Sequence, residues 1–518
     1  MKRILCGIIA VLLLLSFGCA SENSGSTHRR DMWDDIAENR PISNASYAES
    51  EQTAADSKSI LAKSVMADGG EVQDEYAWYY HLQTDGTAML DCCVNLIYHM
   101  TIVLPEKVDG YAVTALAQNV FRDEDLSMYT QSITIPDCIT RIEGNPFDDW
   151  MASYKIIVSD THPTLEIKDG ALFDKREKRL ICAFATAEGE RVPEGTEIIE
   201  DYALSRSQVC SWEITIPASV KKIGHNPFLR RYMKHITVAE GNPFFEMRDG
   251  FLFDKREQRL IIVEFDKYEE ELNSRPRKRE TVVCEIPNGT KIIDDFAFYG
   301  LSEMLGKITF SIPDSVKEIG VNPFGCDEEL ELSPDNTAFE ITGGVLYSKA
   351  DKRVICGSGY KTPTALPQGT EIIGDYASIW IEGDYAIPDS IREIGTYALY
   401  GDGTIRLPNR IRRIGSYFNC NIADEKLILS GNVSVGSHAF SCSLTEIVIQ
   451  DGNSVLHSHM LETASAADTL LELVSIGKGE TVIGFAAFGM CQAEFTVYHN
   501  TYAEQFVMQN IQKYRYAD

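Results

Sequence analysis

The stretch Ser132-Ile133-Thr134-Ile135-Pro136-Asp137-Cys138-Ile139 decides the fold, because close copies of it recur along the chain. The pattern Ile-Pro-x-x-Val or Ile returns at residues 216–220, 312–316 and 387–391. Each copy is followed by a second Ile. A repeat of this kind predicts a solenoid, since no unit can bury its apolar face alone and stacked neighbours complete the core.

The repeat is written at two scales. In the first three copies the second Ile leads to Asn-Pro-Phe, at residues 145–147, 226–228 and 322–324. A shorter echo, Pro-x-Gly-Thr-x-Ile-Ile, begins at Pro193, Pro287 and Pro367. From echo to next copy the spacing is 20 to 30 residues, which lies in the range of leucine-rich repeats.

A third element occupies the longer gaps, at residues 169–181, 249–261 and 343–355. In each, two short apolar runs flank a polar, charged turn, which predicts a β-hairpin. The spacing places one inserted hairpin at every third unit of the stack.

Each unit begins with alternating apolar and polar residues, as in Ser132–Ile135 and Glu213–Ile216. Alternation predicts a short strand with one buried and one solvated face, which the proline then ends. The solvated positions are the candidate contacts to a partner, expected to line up on one broad sheet, with simple solvation as the alternative. They are Thr134, Glu213, Thr215, Lys307, Thr309, Arg406, Glu446 and Val448.

The later copies resemble a known family. Ile394-Gly395-Thr396-Tyr397-Ala398-Leu399, Val435–Phe440 and Ile483–Phe488 are similar to the BspA-type leucine-rich repeat of bacterial and protist surface proteins. The resemblance covers residues 76–518. It implies a mainly β solenoid with short parallel strands, inserted β-hairpins and few short helices. It also implies a cell-surface or secreted protein that binds proteins or glycans, in adhesion to host matrix or other cells, without a cofactor.

The N-terminus predicts export. Lys2-Arg3 precede an apolar stretch that ends in small residues, which is typical of a signal peptide over residues 1–20. Cys19 favours a lipoprotein signal with the lipid on that residue, whereas cleavage after Ala20 would release a secreted protein. Residues 21–75 are polar and predict a flexible tether to a solenoid at 76–518, with a partly helical lead-in as the alternative for part of the tether.

The chain carries 77 acidic and 48 basic residues, a formal net charge of −29. This charge argues against nucleic acid or anionic lipid as a partner, so a membrane would be met only through the lipid anchor. One basic island interrupts the acidic chain, at Arg275, Arg277, Lys278 and Arg279. It predicts either a contact loop for an acidic partner or a solvated loop whose charges pair internally.

Of the 13 cysteines, four follow a repeat aromatic residue, at Cys326, Cys420, Cys442 and Cys491. We expect buried free thiols there, acting as small apolar side chains.

Catalytic and metal signals are sparse. Serine-hydrolase, zinc-protease and phosphate-loop motifs do not occur in the sequence. His457 and His459, with His438 and Cys442 nearby, would face one side of a strand and offer metal ligands, but a variable polar loop explains them as well. We therefore predict no catalytic residue and no metal. The alternatives to a binding protein are a structural envelope protein and, more remotely, a hydrolase.

Overall fold

The structure is a computed structural model. It describes residues 76–517 except 96–100, 119, 122–129, 148–154, 185–190, 205–212, 229–234, 269–280, 299–300, 302–306, 326–327, 360–361, 418, 423–425, 442–443, 458, 463–470, 480, 485–486, 489–492 and 511–513. The signal peptide with Cys19, the tether and the basic island lie outside the described residues. All described residues belong to one compact unit, Arg40–Asp518.

Short strands dominate the described residues, with one α-helix, α1 (Tyr502–Asn510), and one 3₁₀ turn at Phe265–Tyr268. None of the described helices is long and apolar enough to span a membrane. In chain order the strands are β1 (Tyr76–Leu82), β2 (Ala88–Asn95), β3 (Thr101–Val103), β4 (Lys107–Val108), β5 (Tyr111–Leu116), β6 (Ser132–Ile135), β7 (Arg141–Ile142), β8 (Lys155–Val158), β9 (Leu165–Lys168), β10 (Ala171–Asp174), β11 (Arg179–Ala183), β12 (Ile198–Ile199), β13 (Glu213–Ile216), β14 (Lys222–Ile223), β15 (His235–Val238), β16 (Phe245–Arg248), β17 (Phe251–Asp254), β18 (Arg259–Val263), β19 (Val282–Glu285), β20 (Ile292–Ile293), β21 (Ile308–Ile312), β22 (Glu318–Ile319), β23 (Glu329–Leu332), β24 (Phe339–Thr342), β25 (Val345–Ser348), β26 (Arg353–Gly357), β27 (Ile372–Ile373), β28 (Ile379–Trp380), β29 (Asp384–Ala386), β30 (Glu393–Ile394), β31 (Leu399–Arg406), β32 (Arg413–Ile414), β33 (Asn419–Ile422), β34 (Lys426–Leu429), β35 (Ser434–Val435), β36 (Phe440–Ser441), β37 (Glu446–Ile449), β38 (Val455–Leu456), β39 (Leu461–Glu462), β40 (Leu473–Ile476), β41 (Val482–Ile483), β42 (Glu494–Val497) and β43 (Tyr514–Tyr516).

Two parallel ladders run through the stack, and they confirm the predicted solenoid. The wide ladder is made by strands such as β6 and β13, which end immediately before the repeat proline as predicted. The narrow ladder is made by two-residue strands around the second Ile, such as β12 paired with β14. Its longest run joins β26, β27, β30, β32, β35, β38 and β41.

The Pro-x-Gly-Thr echo forms a tight turn that leads into the narrow ladder. The amide of Thr196 donates to the carbonyl of Pro193 across 3.1 Å, and Gly195 has a φ of 82°. A positive φ at the third residue of a four-residue turn defines type II geometry, which favours glycine. The threonine hydroxyl also donates to the proline carbonyl, so the turn holds itself together.

The predicted hairpins are confirmed, and each is longer than predicted. A preceding strand adds to the hairpin, so that β9, β10 and β11 form an antiparallel meander. Asp169 and Gly170 join β9 to β10 with φ values of 49° and 75°, as a two-residue hairpin turn requires. The third strand of the meander then pairs in parallel with β12, so the hairpin enters the narrow ladder itself.

Each meander separates the apolar core into two clusters, one on either side of its central strand. The side chains of β10 are all buried: Leu172 packs in the cluster before the hairpin, whereas Ala171 and Phe173 pack in the cluster after it. The hairpins of β17 and β25 divide their neighbouring clusters in the same way. Burial on both faces explains why these strands read as continuous apolar runs.

Three buried arginines bridge the places where a hairpin interrupts the narrow ladder. Each is the first residue of the third meander strand, and each donates to the carbonyl of the last Ile before the interruption. The donor–acceptor pairs are Arg179 with Ile142 (2.8 Å), Arg259 with Ile223 (2.6 Å) and Arg353 with Ile319 (3.1 Å). The guanidinium thus satisfies a carbonyl that no backbone amide reaches.

The asparagine of the Asn-Pro-Phe motif has a structural role, because its buried side chain forms hydrogen bonds within its own turn and to another unit. The Asn226 side chain is fully buried, accepts from the amide of Phe228 and donates to the carbonyl of Asp295 across 2.9 Å. One side chain therefore stabilises its own turn and ties it to a unit 69 residues later. The phenylalanines that follow, Phe147, Phe228 and Phe324, are buried in the core.

Five cysteines have described side chains, and each is a thiol outside any disulfide. Cys93, Cys182, Cys284 and Cys356 are buried and Cys138 is half-buried. Burial raises the pKa of the Cys356 thiol to about 12, so it packs as a small apolar group and is a poor nucleophile. Of the four thiols predicted to be buried and free, none has a described side chain, and the prediction stands untested.

Replacing Arg259 with Met tests the bridging role. Asp294, only 1% exposed, would lose the closer of its two cationic partners, Arg259 at 2.5 Å, and keep only His225 at 3.0 Å. We expect the free energy of unfolding of the affected units to fall by about 3–5 kcal/mol, the usual effect of removing one partner of a buried ion pair. Chemical denaturation followed by circular dichroism measures it.

Lys426→Met is the matched control for Arg259→Met. It breaks an ion pair between adjacent strands whose Lys426 side chain is 48% exposed, where losses stay below about 1 kcal/mol. Equal losses in the two variants would contradict the bridging role.

Candidate functional site

A groove of about 820 Å³ crosses the ends of three wide-ladder strands, β19, β21 and β23. One wall is the second hairpin, which contributes Asp249 and Phe251, together with Lys267 from the 3₁₀ turn. The groove therefore combines residues from four stretches of chain that only the stack brings together.

The floor of the groove is apolar and its rim is acidic. Pro287, Pro313 and Pro334 line the floor just beyond the three strands, together with the half-buried Leu332, whereas Ile286 and Ile312 are buried beneath it. Val283, on the solvated face of β19, is 56% exposed. The rim carries four carboxylates, Asp249, Glu285, Asp314 and Glu331. An apolar floor with polar groups at its rim is the general form of a ligand site.

Among the residues that line the groove, Lys267 is the only lysine or arginine, and it contacts an aromatic ring. Its Nζ lies 3.7 Å from the centroid of the Phe251 ring. This cation–π contact keeps the ammonium group of Lys267 at the hairpin side of the groove. The four carboxylates therefore dominate the electrostatic potential over the groove floor.

The predicted contact positions are distributed over separate sheets. Thr134 lies on β6, Glu213 and Thr215 lie on β13, Arg406 lies on β31 and Glu446 lies on β37, each in a different sheet. The expectation of one broad sheet was therefore wrong, because the hairpins interrupt the wide ladder as well as the narrow one. Lys307, beside β21, is exposed and pairs with Glu329 across 2.8 Å next to the groove.

Thr309 is a correction to the predicted contacts. It lies on β21 between Val283 of β19 and Glu329 of β23, and its exposure is only 6%. Neighbouring side chains on both flanks cover a short side chain in the central strand of a sheet. Alternation alone places it on the solvated face but says nothing of its neighbours. The other predicted contacts remain predictions, and Arg275, Arg277, Lys278 and Arg279 lie outside the described residues.

The predicted histidine group does not converge. His457 is buried, with 1% exposure, whereas His459 lies in a left-handed backbone conformation and stacks on His438 at a centroid distance of 5.7 Å. Only Val455–Leu456 forms the strand, so the two-residue alternation assumed for His457 and His459 does not apply. Cys442 lies outside the described residues.

His438 and His459 belong to a column of stacked rings. Tyr376, Tyr397 and Tyr417 continue the column at centroid distances of 5.5 and 4.9 Å, and Tyr417 stacks on His438 at 4.9 Å. All five residues have φ near 50°, a conformation that non-glycine residues adopt rarely. Ring stacking along the solenoid axis offsets this strain, which identifies a structural role for the histidines.

A charge cluster of two buried aspartates and a partly exposed histidine, missed in the sequence, joins distant units of the stack. His225, Asp294 and Asp295 bring three possible ligand atoms within 4.8 Å of one another. His225 Nδ1 lies 3.0 Å from Asp294 Oδ1. Nothing in the local sequence signals the cluster, because His225 and the aspartates are 69 residues apart.

All four carboxylate oxygens of the cluster are already engaged. Asp294 receives His225 and Arg259, the latter at 2.5 Å. Asp295 accepts from the amide of Val321 across 2.7 Å and from the hydroxyl of Tyr202. A cation would have to displace these donors, so the cluster acts as an internal brace between units.

Electrostatics within the cluster favour a charged histidine. Burial opposes the charge, but the carboxylates of Asp295 and Asp294 raise the pKa of His225 to about 10. Burial would also raise the pKa of Asp294, yet Arg259 and His225 hold that pKa below its usual value. Burial raises the pKa of Asp295, which receives the Tyr202 hydroxyl in place of an arginine. Two cations thus face two adjacent carboxyl groups.

One family model matches several parts of the chain. A family model described as the BspA type leucine rich repeat region matches in six copies, at residues 184–248, 280–349 and 381–494. No curated protein matches the chain.

The solved structures that match the chain have low sequence identity to it and low TM-scores. The crystal structure of the pneumococcal vaccine antigen PcpA is 17% identical with a TM-score of 0.34, covering 89% of this chain and 100% of that chain. A leucine rich cell surface protein from Faecalibacterium prausnitzii A2-165 is 16% identical with a TM-score of 0.25, covering 88% and 96%. A leucine-rich repeat protein from Bacteroides ovatus ATCC 8483 is 12% identical with a TM-score of 0.22, covering 87% and 100%.

The pKa of His225 makes stability depend on pH in a defined direction. Because the folded pKa of about 10 exceeds the ordinary value of 6.5, protonation stabilises the fold fully below about pH 6.5. That contribution is lost as the pH rises towards 10. We expect the difference in melting temperature between the natural protein and His225→Gln to be largest near pH 6 and to shrink steadily towards pH 10.

An NMR titration of the His225 imidazole measures the same property directly. A midpoint near 6.5, or a melting difference that does not change with pH, would contradict the proposed charge on His225. His499→Gln is the control, since the His499 side chain is 64% exposed at the surface.

Proposed function

The chain is a BspA-type leucine-rich-repeat protein, and on that premise we propose that it is an extracytoplasmic recognition protein that binds proteins or glycans. It does so in adhesion to host matrix or to other cells, without catalysis and without a cofactor. The groove across β19, β21 and β23 carries this proposal, because it offers an apolar floor and a polar rim on the outer surface of a rigid stack.

The solvated side of the wide ladder supports a macromolecular ligand. Val103, Ile157, Val283 and Ile428 are apolar residues at solvated strand positions, with exposures between 42% and 56%. They belong to three different sheets, with Val103 and Ile157 on the same one, so a ligand that reaches more than one of these sheets must be extended. Alternation with polar neighbours limits each apolar contact to a small area, and affinity would come from several such contacts together.

An N-terminal anchor would complete the arrangement. Export through residues 1–20, lipidation at Cys19 and a tether over residues 21–75 would hold the repeats away from the membrane. A structural role in envelope assembly is the alternative, and it predicts self-association or tight retention in the envelope in place of a soluble ligand.

The binding test uses the exported protein against host matrix proteins, mucin glycans and bacterial surface extracts. We expect saturable binding to one class, and Val283→Ser should weaken it roughly fivefold, since burial of one aliphatic side chain contributes about 1–2 kcal/mol. Surface plasmon resonance measures both the affinity and the change.

The control variant is Glu371→Gln, an exposed position that leads into the narrow ladder. It should leave binding unchanged. A stable, monodisperse protein that binds nothing in the panel would overturn the recognition role and favour the structural alternative.

A further inference from the structure

We propose that the groove at the second hairpin selects cationic peptides in the polyproline-II conformation, with Lys or Arg at every third residue. This inference rests on the proposed recognition function and names a ligand class for that same surface. Its occupant is a protein segment from outside this chain, and the groove's charge, spacing and floor each support it.

Charge complementarity is the first argument. Within the part of the chain that the structure describes, Asp249, Glu285, Asp314 and Glu331 take part in no ion pair. Glu329, on the same sheet, is paired with Lys307 at 2.8 Å. Among the described residues, the four carboxylates that line the groove are thus not neutralised by a cation of this chain, and they face its open floor. Such a rim attracts cationic side chains and repels acidic ones.

Spacing is the second argument. Glu285 pairs in register with Ser311, and Ser311 pairs in register with Glu331. The two glutamates are therefore two strand spacings apart, about 10 Å. A polyproline-II helix advances about 3.1 Å per residue with three residues per turn, so its side chains recur on one face about every 9 Å. Basic residues three apart match the two glutamates.

The floor supplies the third argument. Pro287 and Pro313 follow Ile286 and Ile312 directly, and Pro334 follows Leu332 after one intervening residue. Prolines have no backbone N–H, so the apolar lining that they form with the exposed Val283 suits a ligand whose backbone needs no strand partner. Ser311, half-buried between the glutamates, offers a hydroxyl to a peptide carbonyl. Polyproline-II segments also lose little entropy on binding because they are extended beforehand.

The test compares synthetic peptides of equal charge and composition. (Pro-Pro-Lys)₄ places lysine at every third residue, whereas Pro₈Lys₄ places the four lysines together, and (Pro-Pro-Glu)₄ reverses the charge. We expect the periodic peptide to bind the full exported protein at least tenfold tighter than the block peptide, and the acidic peptide not to bind. Raising the salt from 50 to 300 mM should weaken the periodic peptide's binding, measured by fluorescence polarisation.

Variants of the chain locate the contact. Glu285→Gln and Glu331→Gln should each weaken the periodic peptide roughly three- to tenfold, and the double variant should weaken it further. Glu318→Gln, an exposed glutamate of β22 outside the groove, should change nothing. Because all three side chains are exposed, melting temperatures should stay the same and confirm that the variants fold.

Failures of the two proposals are distinguishable. Equal binding of the periodic and block peptides, or no effect of the glutamate variants, would overturn the inference about the groove. If a panel ligand still bound the same variants, the recognition function would stand without the groove. If neither the peptides nor any panel ligand bound, both proposals would fail.

Discussion

Close parallel stacking of successive coils is the constraint on which the rest of the structure depends. Adjacent strands lie about 4.8 Å apart, so every coil must repeat the path of the previous one. A Cβ at Gly436 would lie 2.7 Å from the backbone nitrogen of Ser416, which explains the glycine after the narrow-ladder Val435. The aromatic column obeys the same spacing, since Tyr397 and Tyr417 stack with their ring planes only 5° apart.

Hairpins interrupt this stack. The side chains that satisfy the backbone groups at these interruptions make up much of the buried polar structure. Where the narrow ladder breaks, a carbonyl would remain without a donor, and an arginine from the next meander supplies one. A buried arginine in turn needs acids. Arg179 contacts Glu200 at 3.0 Å and Arg259 contacts Asp294, whereas Gly374 occupies the corresponding place after the third echo. Burial accordingly lowers the pKa of Arg353, whose described carboxylate partner, Asp351, lies 3.8 Å away.

Features of one period were predictable from the sequence, and features that join distant periods were not. Strands β6 and β13 have the predicted bounds, because alternation and a terminal proline act within a few residues. The burial of Thr309 depends on its strand partners 26 residues earlier and 20 residues later, Val283 and Glu329, and the His225 cluster joins units 69 residues apart. The prediction of a single broad sheet was wrong for the same reason. A hairpin motif predicts its own strands but not the interruption that it causes in the ladder formed by neighbouring coils.

Hairpins also explain why recognition would be local on a repetitive surface. The three meanders align residue by residue, and the position that faces the groove as Phe251 is Ala171 in the first meander and Val345 in the third. Only Phe251 provides a ring for a cation such as Lys267, which lies on the turn that follows the same meander. Core positions must carry similar residues in every copy for the coils to stack. Residue differences between copies therefore occur mainly at the hairpins and at the surface positions around the groove. A binding site on this solenoid would thus be a departure from its repeat. The second meander is one such departure, since it places an aromatic ring beside a groove whose four carboxylates form no ion pair among the described residues.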